Sequence, residues 1–377
     1  MRHKAATLRA AAGRQAHGDA PVLDAAVLIG RFQPVHQGHL ALLHHALAQA
    51  RQVVVVVGSA HQARSAKNPF TWQERADLLR AVLPAAERAR LTVLPMRDHY
   101  DEPAWARAVQ QAVAAHAGAQ ARIGLVGHFK DASSSYLAAF PDWTLLRMPR
   151  QGSIDASSIR DAYFGASPAT LDAALAPLAP AIPHATRRLL DQFARTPHYP
   201  ALQEEWRMLR AYRAAWAAAP YPPVFVTVDA VLLCQGRVLL IRRGHAPGKG
   251  LWALPGGFLE PRDTLWQSCL RELAEETGCT LPEAQWRAAL RQVRVFDHPD
   301  RSQRGRTLTH VHCFDLGAAP LPAVRAGDDA AHAAWLPLQG LGTLEESFFE
   351  DHFHVLTQVL APQAPHPAPH PGFATPS

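Results

Sequence analysis

Residues 30–39 read Gly30-Arg31-Phe32-Gln33-Pro34-Val35-His36-Gln37-Gly38-His39. An apolar run at 25–29 precedes this stretch and predicts a buried strand, and apolar residues at 40, 43 and 47 predict an amphipathic helix after it. A helix N-terminus offers unpaired N–H groups and the positive end of its dipole, so the turn predicts a phosphate site. His36 and His39 can add ring N–H donors, and Gly38 lets a phosphate approach the backbone closely. The alternative is an ordinary strand-to-helix turn with two surface histidines.

The same alternation of strand and helix continues along the chain. Further strand-like runs lie at 53–57, 91–95, 123–126 and 143–146, separated by helical stretches. This pattern predicts an α/β fold, a doubly wound parallel sheet with helices on both faces. Ligands of such sheets bind beyond the carboxyl ends of the strands. Polar clusters follow three of these runs at 58–61, 97–100 and 127–136, so we expect the binding site at that edge.

A second candidate helix start lies at residues 154–160. Its serines could cap the helix, and Arg160 could reach back one turn to a phosphate. When ATP gives a nucleotidyl group to a phosphate, the substrate itself supplies the nucleophile. The protein then has to position the substrates and neutralise charge, which is chemistry that histidines, arginines and a helix start can perform.

Composition describes a globular chain with an ample core. The 377 residues are 48% hydrophobic and 19% charged, with a net charge of +6. The basic residues are scattered, which favours small anionic substrates over nucleic acid. The four cysteines form no close pair, so neither a zinc site nor a disulfide framework is indicated, and a reducing cytoplasm fits. No apolar run is long enough to span a membrane, and the basic N-terminus lacks the apolar core of a secretory signal.

A second pattern begins after residue 220. Strand-like runs at 224–228, 230–233 and 238–243 lead to a double-glycine turn at 256–257 and a helix from about Thr264 to Thr277. Glu272, Glu275 and Glu276 recur at a spacing that places three carboxylates on one face of this helix. Uncompensated like charges at that spacing are unfavourable, and a hard divalent cation would stabilise them and attract a diphosphate. The alternative is a solvated acidic face.

Residues from about 22 to 185 resemble a nicotinamide mononucleotide (NMN) adenylyltransferase of the nucleotidyltransferase superfamily. The pieces that match are residues 30–39, the turn at 58–60, Asn68-Pro69-Phe70-Thr71 and the helix start at 154–160. Pantetheine-phosphate and cytidylyl transferases share the His-x-Gly-His pattern, whereas Gly30–Pro34 and Asn68–Thr71 favour NMN. This chain has Asp155, Ala156 and Ser157 where the family more often has Ser-Ser-Thr.

The resemblance implies roles for individual residues. His36 and His39 would bind the ATP phosphates, and Arg160 would bind their β/γ end. The remaining nucleotide-binding residues of this half would be Gly30, Arg31, Phe32, Gly38, Gly58, Asn68, Lys130, Asp131 and Ser157.

Residues 257–279 are similar to the Nudix box, Gly-x5-Glu-x7-Arg-Glu-U-x-Glu-Glu-x-Gly-U, where U is apolar. The chain departs from it at Asp263, in the first Glu position, and at Arg262, where Gly is usual. Ala334 also precedes Trp335 where many members have an acid. The resemblance implies that Glu272, Glu275 and Glu276 hold Mg²⁺ (Mn²⁺ is an alternative), that Glu272 is catalytic, and that Arg271 orients the glutamates. In the loop before residue 307, Arg304 and Arg306 could clamp a second phosphate or belong to a solvated turn.

Together these patterns resemble the bifunctional adenylyltransferase/Nudix proteins of NAD metabolism. The implied organisation is a disordered tail at 1–21, a nucleotidyltransferase domain at 22–185 and a helical linker at 186–220. A Nudix α/β/α sandwich with a mixed sheet follows at 221–360, and a disordered tail at 361–377. The implied reactions make NAD and pyrophosphate from ATP and NMN, and cut ADP-ribose to AMP and ribose 5-phosphate. The alternatives are a Nudix half that senses ADP-ribose without cutting it, or one that acts on another nucleoside diphosphate derivative. The sequence does not decide whether the chain forms a homo-oligomer.

Overall fold

The computed structural model describes residues 23–127, 139–149 and 155–361, and two β-sheets organise them. We call residues 23–215 the N-terminal half and residues 224–361 the C-terminal half. The first sheet is wholly parallel, in the order β3-β2-β1-β4-β5. Its strands are β1 (Leu23–Gly30), β2 (Ala50–Val57), β3 (Leu91–Pro95), β4 (Ile123–Gly127) and β5 (Thr144–Arg147). Residues 53–57 are fully buried, as expected of a strand covered on both faces. The predicted doubly wound sheet is confirmed.

Helices cover both faces of this sheet. They are α1 (Gln37–Gln49), α2 (Trp72–Ala81), α3 (Ala85–Arg88), α4 (Glu102–Ala117), α5 (Ala156–Gly165), α6 (Leu171–Leu175), α7 (His184–Phe193) and α8 (His198–Ala215). Helices α1 and α2 pack on one face and α4 on the other. Helices α5 to α8 form a third cluster around Tyr163 and Tyr199, whose hydroxyls donate to backbone carbonyl oxygens at 2.7 Å. Helices α7 and α8, in the segment expected to be a helical linker, pack into this cluster.

The C-terminal half contains a mixed seven-stranded sheet in the order β10-β11-β6-β7-β12, with β8 and β9 paired to β7 and β6. Its strands are β6 (Val224–Cys234), β7 (Arg237–Arg243), β8 (Trp252–Ala253), β9 (Gly256–Phe258), β10 (Leu290–Phe296), β11 (Arg306–Asp315) and β12 (Ala330–Pro337). Its helices are α9 (Leu265–Thr277), α10 (Glu283–Ala289) and α11 (His352–Leu360). Strands β6 and β11 run parallel, whereas the other pairs are antiparallel. The predicted mixed sheet is confirmed.

The two strands expected at 224–228 and 230–233 are one continuous strand, β6. The polar residue between them, Asp229, pairs in register with Val311 of β11, and its carboxylate accepts a hydrogen bond from the Thr309 hydroxyl. Because Thr309 of β11 satisfies the hydrogen-bonding need of the Asp229 carboxylate, this acid does not interrupt β6.

Helix α9 begins and ends where the sequence predicts. The Thr264 hydroxyl accepts from the Gln267 N–H, the Gln267 side chain accepts from the Thr264 N–H, and Gly278 ends the helix at φ 65°. The helix buries Cys269 and Leu273. It also buries Glu276, which a fully solvated acidic face would not do.

No described helix is both long and apolar enough to cross a lipid bilayer.

The two halves contact each other through side chains as well as through the chain connection. The carboxylate of Glu205 on α8 accepts from Ala66 N at 2.8 Å and from Gly248 N at 3.1 Å, so one buried acid joins both halves. Arg97 after β3 makes two hydrogen bonds of 2.6 Å to Glu345.

A buried ion pair supports the C-terminal half. Arg301 donates to both carboxylate oxygens of Asp351, at 2.9 and 3.0 Å, and the two side chains are only 5% and 2% exposed. Replacing Arg301 with Met leaves Asp351 alone in the interior, so we expect the free energy of unfolding of this half to fall by about 3–5 kcal/mol. Arg97→Met is the matched control, because the Arg97 side chain is 58% exposed and such pairs contribute about 0–1 kcal/mol. Urea unfolding of the two variants and the wild type measures both changes, and equal effects would contradict a stabilising role of the buried pair.

Candidate active sites

Two buried side chains hold the turn between β1 and α1. The Gln33 side chain donates to the Phe70 carbonyl at 2.8 Å and accepts from the Phe70 N–H at 3.0 Å. Arg75, which is 1% exposed, donates to carbonyl oxygens of the turns after β1 and β2 at 2.7–3.0 Å. Burial lowers the pKa of Arg75 to about 10, so the group stays charged near neutral pH. These bonds preform the turn before any ligand binds.

His36 and His39 lie together at the start of α1. The Nδ1 atom of His36 accepts from Gly38 N at 3.1 Å, and the Nδ1 atom of His39 accepts from His36 N at 3.3 Å. The ring centroids are 3.8 Å apart. Because each Nδ1 atom accepts, the proton of each neutral ring resides on Nε2. The two expected ring donors are thus Nε2–H groups beside a helix N-terminus.

Arg160 on α5 reaches the same turn. Its guanidinium donates to the Gln33 carbonyl at 2.6 Å and to the Ser157 hydroxyl at 3.0 Å. Burial lowers the pKa of Arg160 to about 10, and the nearby charge of Arg31 acts in the same direction. Crowded cations of this kind are stabilised by a bound anion.

The cap of α5 differs from the expected serine cap. The carboxylate of Asp155 accepts from the N–H of Ser158 at 2.9 Å and from its hydroxyl at 3.1 Å. An aspartate at this position satisfies the first free N–H groups and complements the helix dipole. Ser157 is therefore left to contact Arg160.

The other predicted residues of the N-terminal half lie around this turn. Gly30 ends β1 under the ring of Phe32, and a Cβ at Gly30 would lie only 3.2 Å from that ring, so a side chain there would crowd it. Gly58 N donates to Gly30 O at 3.0 Å. Asn68 is 8% exposed and donates to Gln62 at 3.0 Å, while its Oδ1 has no partner among the described residues. Lys130 and Asp131 lie outside the described residues.

An interdomain cavity of about 860 Å³ adjoins the turns after β1, β2 and β3. Its N-terminal wall includes Arg31, Lys67, Asp98 and Tyr100, and its C-terminal wall comes from segments 298–303 and 348–350. Asp98 is fixed by hydrogen bonds from Ser59 N at 3.0 Å and from the Ser59 hydroxyl at 2.7 Å. The volume is in the range of roughly 300–1,000 Å³ that small-molecule sites occupy.

In the C-terminal half, Arg271 gathers the acidic side chains of α9. Its guanidinium lies 3.0 Å from Glu272, 3.2 Å from Asp263 and 2.7 Å from Glu275. The shorter acid at 263 is therefore within reach of the same guanidinium. Within the described ranges, no three His, Cys, Asp or Glu side chains are already arranged around a metal position.

Glu276 is the buried member of the set, 4% exposed, and accepts from Gly256 N at 2.8 Å. Burial raises its pKa to about 8, and the charge of Glu272 adds to this effect. Gly257 leaves no room for a side chain, because a Cβ there would lie 2.5 Å from a Glu272 oxygen. An all-oxygen set of crowded carboxylates beside a glycine turn fits a hard divalent cation, which would stabilise their charges.

The two predicted phosphate clamps have different surroundings. The guanidinium of Arg304 lies 4.9 Å from the ring centroid of Phe258, directly after the double-glycine turn, and its buried Nε has no partner among the described residues. Arg306 instead donates to the carbonyl of Asp297 in its own loop. The structure thus places Arg304 nearer to the box residues and engages Arg306 elsewhere.

Comparisons with known proteins match both halves. A cytidylyltransferase-like profile matches residues 27–143, and a NUDIX domain profile matches residues 223–359. A nicotinamide/nicotinic acid mononucleotide adenylyltransferase of Acinetobacter baylyi is 36% identical over 185 residues, 49% of this chain and 94% of its own. A crystal structure of a bifunctional NMN adenylyltransferase/ADP ribose pyrophosphatase from Francisella tularensis, complexed with AMP and a manganese ion, has a TM-score of 0.81. It is 32% identical to this chain and covers 90% of it and 98% of the Francisella chain.

The chain belongs to the bifunctional NMN adenylyltransferase/ADP-ribose pyrophosphatase family.

The predicted resemblance is thereby confirmed over both halves, and each half also has a separate relative. An ADP-ribose pyrophosphatase of Methanocaldococcus jannaschii is 36% identical over 119 residues, which are 32% of this chain and 65% of that protein. The family assignment agrees with the sheet orders described above, a parallel transferase-like sheet followed by the mixed Nudix sheet.

Within this family member, three residues near the sites have structural roles that the sequence patterns above did not assign. Arg75 and Glu205 are charged residues of helices, yet both are at least 95% buried. Asp229 lies in strand β6 beneath the double-glycine turn, where its Oδ1 would be 2.7 Å from a Cβ on Gly256. Such residues could be found from sequence by looking for a charged residue at a position of a helix or strand where the pattern calls for an apolar one.

Proposed function

We propose that the chain is a two-site enzyme of NAD metabolism. The N-terminal half transfers AMP from ATP to NMN, giving NAD and pyrophosphate, and the C-terminal half hydrolyses ADP-ribose to AMP and ribose 5-phosphate. One observation carries the proposal. Two histidine ring donors, His36 and His39, lie with the guanidinium of Arg160 at a helix start in one half, and a carboxylate cluster on α9 lies in the other.

In the transferase, the NMN phosphate oxygen attacks the α-phosphorus of ATP, and the bond to pyrophosphate breaks. The Nε2–H groups of His36 and His39 donate to the triphosphate, and Arg160 with Arg31 neutralises the charge that moves onto pyrophosphate. Ser157 orients Arg160 through their 3.0 Å contact. Catalysis by these residues is positioning and electrostatic, so no base is required.

The interdomain cavity holds the acceptor mononucleotide. NMN combines an anionic phosphate with a cationic ring bearing a carboxamide, and the cavity walls combine Arg31 and Lys67 with Asp98 and an aromatic ring, Tyr100. The unpartnered Oδ1 of Asn68 fits a carboxamide N–H donor. Synthesis of NAD and pyrophosphate from ATP and NMN, compared with phosphopantetheine as acceptor, tests this assignment.

In the hydrolase, Glu272, Glu275 and Glu276 hold Mg²⁺ or Mn²⁺, and Arg271 orients them. The cation supplies Lewis-acid polarisation of the diphosphate and an activated water. Glu272 faces the double-glycine turn and is held by Arg271 at 3.0 Å. Burial raises the pKa of Glu272 above its ordinary value.

ADP-ribose, rather than NAD, is the preferred substrate of this half. Hydrolysis of NAD would destroy the product that the other half makes. The experiment is the specificity constant for ADP-ribose, NAD, NADH and a nucleoside triphosphate. We expect the highest value for ADP-ribose. A higher value for NADH would refute the assignment, and binding of ADP-ribose without hydrolysis at saturating Mg²⁺ would favour a sensor.

Arg304 is the phosphate clamp that the geometry favours over Arg306. Arg304→Ala should weaken ADP-ribose binding by about 1.5–3 kcal/mol, the range for a hydrogen bond to a charged group. Arg306→Ala is the matched control and should change binding little, because its guanidinium is engaged by Asp297. Calorimetric titration of metal-free protein with ADP-ribose gives both values. The reverse order of effects would exchange the two roles.

A further inference from the structure

The C-terminal half contributes directly to the interdomain cavity of the N-terminal half. Segments 298–303 and 348–350 face the turns that follow β1, β2 and β3. The Acinetobacter adenylyltransferase is matched over 94% of its length by 49% of this chain. The C-terminal half thus supplies a second wall to a cavity that begins at the transferase turns, so it can act on the binding of a substrate there.

Direct contacts fix this second wall in place. The side chain of Gln303 accepts from Lys67 N at 3.0 Å, and its carbonyl accepts from Arg213 at 2.7 Å. Glu350 accepts from Gln303 N at 2.8 Å, which joins the two segments of the wall to each other. Hydrogen bonds therefore connect loop 62–68 to both segments of the wall.

Tyr100 of the N-terminal half makes aromatic contacts with two histidines of the C-terminal half. Tyr100, which follows β3, stacks on His298 with ring centroids 4.3 Å apart and planes 15° apart. His354 packs edge-on against the same tyrosine at 4.7 Å. His298 is itself held, because its Nδ1 accepts from Asp300 N at 3.2 Å. The position of Tyr100 in the cavity thus depends on the C-terminal half.

We propose that His298 is a positioning residue of the transferase, which sets the affinity for the acceptor mononucleotide by holding Tyr100 and closing the cavity. This inference rests on the proposed transferase function. The wall also adds Asp300 and Glu350 to the cavity that Arg31 and Lys67 line. A cavity lined by both acids and cations suits a mononucleotide with a cationic ring and an anionic phosphate. Burial lowers the pKa of Lys67, and the charge of Arg31 acts likewise, which agrees with a position ready for an anion.

The test separates binding of NMN from every other step. His298→Ala in the full chain should raise KM for NMN roughly three- to ten-fold, the size expected for loss of one aromatic pair. The kcat of NAD synthesis, KM for ATP and the rate of ADP-ribose hydrolysis should stay within about two-fold. His298→Phe should restore KM for NMN, since it keeps the stack. His332→Ala, an exposed histidine on β12, is the matched control and should change nothing.

An unchanged KM for NMN in His298→Ala would overturn the inference. Equal changes in the NMN, ATP and ADP-ribose parameters would also overturn it, because they would indicate a merely structural role. Amide hydrogen exchange of the wild-type chain gives a second readout that needs neither folding of a variant nor turnover. NMN should slow exchange within residues 298–303, and no slowing would contradict the wall. Absence of NAD synthesis in the wild type would instead refute the transferase assignment.

Discussion

His39→Ala should lower the rate of NAD synthesis by at least roughly 100-fold and leave ADP-ribose hydrolysis near the wild-type rate. Loss of one preorganised donor to a developing charge costs about 10²–10³ in kcat, and His39 presents its Nε2–H beside the helix start. The proposed hydrolase site is in the other half, which is built on a different sheet. Steady-state rates of both reactions on the same preparation measure the effect.

Two further variants separate this role from structure. His39 also caps α1, because its Nδ1 accepts from His36 N at 3.3 Å. His39→Asn keeps an acceptor near Nδ1 but lacks the outer N–H, so it should be as inactive as the alanine variant. His44→Ala changes a half-exposed histidine of the same helix and should remain active. Equal loss of both activities in folded His39→Ala would contradict two separate sites.

Glu276→Gln should show the opposite pattern, with hydrolysis lowered by at least roughly 100-fold and NAD synthesis unchanged. Mutation of a residue that only hydrogen-bonds to a metal ligand typically lowers metal affinity or activity about 10–100-fold. Glu276 is proposed as a ligand itself, so its loss should cost more. A glutamine has the same shape and can still accept from Gly256 N, so the turn should keep its geometry. Rates at saturating Mg²⁺ measure the effect.

Stability distinguishes this loss from unfolding. Burial raises the pKa of Glu276 to about 8, so near neutral pH the wild-type carboxyl must take up a proton or bury its charge on folding, a cost that the neutral glutamine avoids. The melting temperature of metal-free Glu276→Gln should therefore equal or exceed that of the wild type. Glu283→Gln removes an exposed acid from α10 and should preserve both activities. Retained hydrolysis in Glu276→Gln would mean that the carboxylate cluster is not the metal site.

Local patterns predicted much of this structure because they act within a few residues. The valines at 53–57 predict a strand covered on both faces, and Thr264, Gln267 and Gly278 predict the ends of α9. The proposed phosphate-binding groups were identifiable for the same reason, since a turn, two histidines and a helix start lie within ten residues.

Features that depend on tertiary packing were not predictable from these patterns. Arg75 satisfies carbonyl oxygens of two turns that the fold brings together, and Glu205 accepts from backbone groups of both halves. The burial of Glu276 depends on how α9 is rotated against the sheet, which three carboxylates at helical spacing do not determine. The wall that His298 contributes depends on how the two halves are packed.

One chain is expected to make NAD and to cleave ADP-ribose without destroying its own product. The most direct measurement follows all nucleotides by chromatography in one reaction that contains wild-type protein, Mg²⁺, ATP and NMN, to which ADP-ribose is added later. We predict that NAD and pyrophosphate accumulate together and that NAD persists. AMP and ribose 5-phosphate then appear only after ADP-ribose is added. Failure to form NAD, or steady conversion of NAD to AMP and NMN, would contradict the claim.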